Sequence, residues 1–248
     1  MAGTAEHGRT GLGAPGGWAR VGAAAGLRLD AYREAHVERC LARARDLAGV
    51  EGDAALAAAL GRDPQLRTRL RRWVAVSHSG LFRDPEQFSV LEQVLLPGLL
   101  HRRRGAPRVW SAGCAAGQEL WSVAAILQRL GALDGAVLVG SDLLQENVEA
   151  AGRADVPLPP GATPAVRFER RDLTREPALP GEWDLVLCRN LGIYLAPGAK
   201  ERLHRILAGA LAPGGVLLLG RTERLASPAA LGLRALVDRA YERVEPAG

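Results

Sequence analysis

The 248-residue chain is 48% hydrophobic and 24% charged, which suits a folded globular protein with room for one full α/β domain and a small second domain. Cys40, Cys114 and Cys188 are too widely separated for a disulfide framework or a C-x-x-C site, and the five histidines form no H-x-x-x-H pair, so no bound metal is expected. No stretch approaches the ~20 apolar residues of a membrane span. The first residues lack the basic start and apolar run of a secretory signal, and 4% aromatic content without a base-stacking motif disfavours a nucleic-acid binder. A cytoplasmic location is the expectation. The net charge of +5 is uneven: residues 1–110 carry 17 Arg and no Lys against 11 acids, while the remainder has 15 basic against 16 acidic residues. That asymmetry predicts an acidic partner for the N-terminal part or, alternatively, a solvated arginine-rich face.

In chain order, the glycines of MAGTAEHGRTGLGAPGG suggest a flexible leader over residues 1–26. Helical spacing follows over Leu29–Ala48, with Asp30 as a candidate cap and Gly49 as a stop. Arg39 and Arg43, four apart, share its outer stripe. A short helix from Asp53 to Leu60 and a third, capped by Asp63 with Pro64 at its first position, complete a small helical domain over 27–76. Residues 77–105 read as a linker and connecting helix, with Asp84-Pro85-Glu86-Gln87 predicting a cap and a capping-box Gln.

The stretch Arg108–Trp121, RVWSAGCAAGQELW, predicts strand, tight turn and helix. Its G-x-x-x-G spacing is not the dinucleotide fingerprint. Glycines there would let a ligand approach the backbone, or would serve only as a tight turn. Ala136–Asp142 predicts a buried parallel strand ending in an acid, which would either accept bonds from a ribose diol or cap the next helix. Val166–Glu169, Trp183–Cys188 and Val216–Leu219 predict further strands, the last after the turn Pro213-Gly214-Gly215. Leu236–Val237 and Tyr241–Val244 predict a terminal antiparallel pair. The expected class is therefore α/β, with ligands at the carboxyl ends of the strands in a domain over 106–248.

Read in order, F-R-D-P, RVWSAGCAAGQELWS, SD, CRNLGIYL and LAPGGVLLLG-R-T-E resemble the CheR-type chemotaxis receptor methyltransferases over roughly Leu27–Val244. The resemblance implies a class I methyltransferase (Rossmann-like) sheet with a small N-terminal all-α domain, S-adenosylmethionine as cofactor, and methylation of glutamate side chains on an acidic, helical, chemoreceptor-like protein. Residue by residue, the family's N-x-T-x-F-F-R linker falls on Ser77, Ser79 and Arg83. Its glycine loop with G-E-E falls on Gly113, Gly117, Gln118 and Glu119. Its ribose-binding acid matches Asp142, its adenine-side pair matches Asp172-Leu173, and its C-R-N-x-x-I-Y motif matches Arg189, Asn190 and Tyr194.

The resemblance thus assigns Ser77, Ser79, Arg83, Gly113, Gly117, Glu119, Asp142, Asp172, Leu173, Arg189 and Asn190 to the cofactor, and Arg83 and Tyr194 to catalysis. Arg39, Arg43 and Arg45 match basic positions that some members turn toward acidic receptor helices. Each site residue also has a plainer reading: Arg83 as a partner of Asp84, Tyr194 as a core tyrosine, Arg189 as a loop support. Ser77, Ser79 and Gln118 replace the family's Asn, Thr and first Glu. The 29 residues between Asp142 and Asp172 imply that the family's small β subdomain is reduced or absent, which weakens docking to a receptor tail. Two alternatives stay open, a methyltransferase of the same fold for a small molecule or another protein, and a non-catalytic cofactor-binding scaffold.

Overall fold

The computed structural model describes residues 15–76, 80–103, 105–153, 164–237 and 239–244. The chain divides into two compact units between Val74 and Ala75.

The first unit is helical. α1 (Pro15–Ala25) occupies 11 residues of the stretch 1–26 whose glycine content suggests a flexible leader, and residues 1–14 lie outside the described residues. Gly17 and Gly22 are contact glycines: a Cβ on Gly17 would stand 2.4 Å from Asp53 Oδ2, and one on Gly22 2.8 Å from the Leu27 carbonyl. Val21 and Ala25 are buried, and Trp18 Nε1 donates to Glu38 Oε1 at 2.8 Å. α2 (Glu34–Ala48) starts later than its apolar spacing implied, because Leu29–Ala31 forms a separate 3-10 turn and Asp30 bonds the Arg28 guanidinium instead of capping the helix. Gly49, left-handed at φ 62°, ends it as expected. α3 (Gly52–Arg62) precedes α4 (Pro64–Ala75), whose first free amides, Gln65 N and Leu66 N, donate to Asp63 Oδ1 at 2.8 and 3.1 Å.

The second unit opens with α5 (Pro85–Val90), a π turn over Leu91–Leu95, and α6 (Leu96–Arg102). The wider turn accommodates Pro97, which has no N–H for a regular α register. Next come β1 (Arg108–Ala112), α7 (Gln118–Arg129), β2 (Val137–Asp142), α8 (Gln145–Gly152), β3 (Ala165–Arg170), β4 (Trp183–Cys188), α9 (Pro197–Ala210), β5 (Leu211–Leu219), β6 (Leu233–Ala235) and β7 (Ala240–Arg243).

These strands form one seven-stranded sheet in the order β3-β2-β1-β4-β5-β7-β6. Strands β3, β2, β1, β4 and β5 run parallel, and β7 is antiparallel to both neighbours. This is the class I methyltransferase (Rossmann-like) arrangement. The order reverses at β1, so the crevice beyond the carboxyl ends of β1, β2 and β4 is where such a sheet binds ligands. The terminal pair exists, but its first strand lies at Leu233–Ala235; Leu236 and Val237 sit in the turn, exposed. Fully buried Val109, Leu120, Leu127, Leu138, Leu185 and Val216 build the core that fixes the sheet against its helices. The described residues between β2 and β3 contain α8 and no additional strand.

Candidate functional site at the carboxyl edge

The glycine turn after β1 is tied to β2 by backbone bonds. Gly113 N and Cys114 N both donate to the Ser141 carbonyl, at 2.8 and 2.9 Å. Gly113 has φ 84°, a conformation that favours glycine, and Ala115 follows at φ 48°. Asp142 completes the tie: Oδ2 accepts from Ala115 N at 2.9 Å, and Oδ1 accepts from Leu144 N at 3.0 Å and Asn147 Nδ2 at 2.8 Å. Burial raises its pKa above the usual carboxylate value, and the three donors oppose that rise. Asp142 therefore holds the turn entering α8 while also lining the cavity at this edge.

Arg189, just after β4, is the second organiser. Its buried guanidinium donates to Gln87 Oε1 (3.1 Å), Glu119 Oε2 (3.2 Å), the Arg83 carbonyl (2.6 Å) and Asp84 Oδ2 (2.9 Å), and stands 4.9 Å from the Phe88 ring centroid. The capping-box expectation fails for this reason. Gln87 is drawn inward, its amide also donating to the Leu219 carbonyl at 3.0 Å, and Asp84 (φ 59°) turns its carboxylate to Arg189. Glu119 accepts from Ser111 Oγ at 2.7 Å as well as from Arg189. Burial raises its pKa, while the positive charges of Arg189 and Arg83 pull it back.

A cavity of about 80 Å³ lies among these groups, lined by Ala75, Val76, Arg83, Gly113, Ala115, Asp142, Arg189, Asn190, Leu191 and Tyr194. Arg83, Gly113, Asp142, Arg189, Asn190 and Tyr194, drawn from four separate stretches of sequence, thus converge on one space. Glu119 reaches it through Arg189. Gly117 serves packing instead: a Cβ there would meet Ala151 Cβ at 2.8 Å and the Phe168 ring at 3.1 Å. Asp172 turns its carboxylate to Thr174, accepting from N at 3.0 Å and Oγ1 at 2.6 Å, and neither it nor Leu173 lines the cavity. Ser77 and Ser79 lie outside the described residues. In the first unit, Arg45 is committed to Asp53 (2.7 Å) and Glu38 (3.4 Å), and Arg43 stands 4.2 Å from the Trp73 ring centroid. Of the three basic positions, only Arg39 and Arg43 are exposed.

Sequence reasoning did not identify Gln87 as a polar strut or Leu191 as an apolar wall, and gave no role to Glu223, the last residue of the LAPGGVLLLG-R-T-E stretch. Glu223 is 1% exposed and accepts from Asn190 N, Gly192 N and Gly220 N at 2.6, 2.7 and 3.0 Å. An acid following the apolar run of β5 by four residues was the available signal.

The donor set suits an adenosyl sulfonium carrying an amino acid: a carboxylate at the end of β2 for a diol, a glycine turn for close approach, an apolar Leu191, a phenol and an arginine. At about 80 Å³ the space is smaller than the roughly 300 Å³ or more typical of nucleotide-sized ligands.

The family model described as "CheR methyltransferase, SAM binding domain" matches residues 77–158 and 160–233. The chain is 29% identical over 206 residues to the chemotaxis protein methyltransferase of Listeria innocua, covering 73% of this chain and 78% of that protein. It is 28% identical over 196 residues to that of Vibrio anguillarum (66% and 71% covered). It is 31% identical over 177 residues to chemotaxis protein methyltransferase 1 of Pseudomonas aeruginosa (58% and 65% covered). The chain belongs to the CheR methyltransferase family, whose S-adenosylmethionine-binding domain it carries, and is an S-adenosylmethionine-dependent methyltransferase.

Proposed function

We propose that this enzyme esterifies glutamate carboxylates on a chemoreceptor-like helical protein, and that the residues at the carboxyl edge divide the work. Gly113, Asp142 and Asn190 hold the cofactor, and Glu119 and Arg189 fix the frame around it. Arg83 and Tyr194 orient the acceptor. The observation that carries this reading is the convergence of Arg83 and Tyr194 with Asp142 and Gly113 on one cavity. Ser77, Ser79, Asp172 and Leu173 belong to the proposal through the family resemblance alone. A cytoplasmic setting accords with such a substrate. Among the described residues no helix is long and apolar enough to cross a membrane.

The bound cofactor supplies an electrophilic methyl group on a sulfonium. A glutamate carboxylate, with a reference pKa of about 4.3, is already ionised at neutral pH, so no general base is needed. Positioning in line with the methyl then supplies much of the rate. Arg83 is suited to this: its carbonyl is pinned by Arg189, the residue lines the cavity, and a guanidinium matches a carboxylate through two charge-assisted bonds. Tyr194 offers a hydroxyl to the same group. The walls of Leu191 and Ala115 limit water at the site, where opposite charges are to be neutralised.

Arg83→Ala is expected to lower turnover while leaving cofactor affinity within about threefold. The assay is transfer of radiolabelled methyl groups to receptor cytoplasmic fragments, scored as base-labile esters. Unchanged turnover on a labelled receptor would remove Arg83 from the mechanism. Labelling of small molecules with no receptor labelling would replace the substrate.

A further inference from the structure

We propose that Glu223 is a positioning residue for methyl transfer, holding the loop after β4 in the shape that forms one wall of the site. This rests on the assignment of the carboxyl-edge cavity to cofactor and substrate. The loop Asn190–Tyr194 contributes Asn190, Leu191 and Tyr194 to that cavity. Asn190 stands in the left-handed region at φ 62°, which Asn tolerates better than most residues, so the turn is local in origin and needs its amides held for its path to be fixed. Few bonds within the loop do so: Tyr194 N donates to the Leu191 carbonyl at 3.2 Å and Leu195 N to the Gly192 carbonyl at 3.3 Å, both long.

The short bonds come from outside. Glu223 Oε2 accepts from Asn190 N at 2.6 Å and from Gly220 N at 3.0 Å, and Oε1 accepts from Gly192 N at 2.7 Å. One carboxylate thus joins the turn after β5 to two amides flanking Leu191, and bonds to an ionised acceptor are the stronger kind. The space is built for this acid. A Cβ on Gly192 would lie 2.9 Å from Glu223 Oε1, and one on Gly220 2.6 Å from Oε2 and 2.8 Å from Asn190 N. Burial raises the Glu223 pKa, while the three amides and the positive charge of Lys200 counter it. No group of Glu223 lines the cavity, so it acts through the loop.

Glu223→Gln keeps the shape but turns one acceptor into a donor facing an amide. The expected results are faster hydrogen exchange at Asn190, Gly192 and Gly220 and turnover reduced about tenfold or more. Exchange in α7 and β1 should be unchanged, and the KM for receptor should rise less than kcat falls. Glu223→Asp, charged but too short to span all three amides, should recover only part of the activity. Gly192→Ala, which crowds Oε1 without touching the charge, should reproduce the Gln phenotype and serves if Glu223→Gln does not fold. Local exchange and turnover both within about twofold of wild type would overturn the proposal. Calorimetry with S-adenosylhomocysteine separates the parent reading: wild-type protein that failed to bind it would sink the pocket assignment, whereas normal binding with unaffected Glu223→Gln turnover would sink only the role of Glu223.

Discussion

The two ends of the parallel sheet hold cavities of opposite character. At the amino edge a space of about 390 Å³ is bounded by Leu99, Arg102, Arg103, Glu182, Asp184 and residues 212–215, the irregular start of β5. At the carboxyl edge the space is about 80 Å³. At the larger one Arg102, Arg103 and Asp184 are ion-paired, although Arg103 Nε is buried without an acceptor among the described residues. Arg103 bonds Asp184, which also accepts from Arg108 N at 2.7 Å, and Arg102 pairs with Glu242 at 3.0 Å. At the smaller one the polar groups are braced from behind, Asp142 by three N–H donors and Arg189 by four acceptors, and the bracing aims them at a shared space. On the proposed assignment, size alone would choose the wrong end, and the mark of the site is polar groups held in place at a topological switch point.

The sharpest way to break this contrast is Arg189→Ala. Removing a buried cation strands Glu119, Gln87 and Asp84 together, so a loss of about 3–5 kcal/mol in denaturant unfolding and abolition of methyl transfer are expected. A stable, active variant would show that the bracing is dispensable. Asp142→Ala comes next. Leu144 N, Ala115 N and the Asn147 amide lose their acceptor, costing roughly 1–3 kcal/mol, and cofactor affinity measured by calorimetry should fall at least about tenfold.

Asp184→Asn tests the other end. Breaking the pair with Arg103 should cost about 1–3 kcal/mol, less than for a fully buried pair because Arg103 is partly exposed. Turnover of the folded enzyme should stay unchanged; a fall in kcat would mean that the two edges are coupled. The smallest effect is a pH dependence away from both edges. His204, buried on α9 with Lys200 beside it, has its pKa lowered from 6.5 to about 4. The stability that neutral His204 contributes is therefore full above pH 6.5 and is lost as pH falls through about 4. In His204→Gln, midpoints of urea unfolding between pH 7 and 4 should decline less steeply than in wild type.

Much of the parallel sheet was legible because its strands are short apolar runs ending in polar residues: Trp183–Cys188 coincides with β4, and Ala136–Asp142 runs one residue beyond β2. Gly113, Asp142, Asn190 and Tyr194 could be placed at one edge because they follow those runs directly. Arg189 was visible as a residue, but its partners Gln87 and Asp84 lie more than a hundred positions away, and no local pattern encodes that reach. The same holds for Glu223, whose bonds to Asn190 and Gly192 span more than thirty positions. The misreading of Pro15–Ala25 has a different origin. Composition counts glycines without telling whether one is there for freedom or for lack of bulk, and Gly17 and Gly22 are the second kind.

That distinction bears on any effort to make this enzyme more heat-resistant. Swapping helical glycines for alanine is a common first step, and here it would split into two outcomes. Gly61, Gly152, Gly198 and Gly209 have nothing within 4 Å of a new methyl group and stand to gain about 0.5–1 kcal/mol each. The same exchange at Gly22 would drive a methyl group into the Leu27 carbonyl, and at Gly17 it would displace the Asp53 carboxylate. A library filtered by crowding rather than by helix membership would keep the gains and discard the losses.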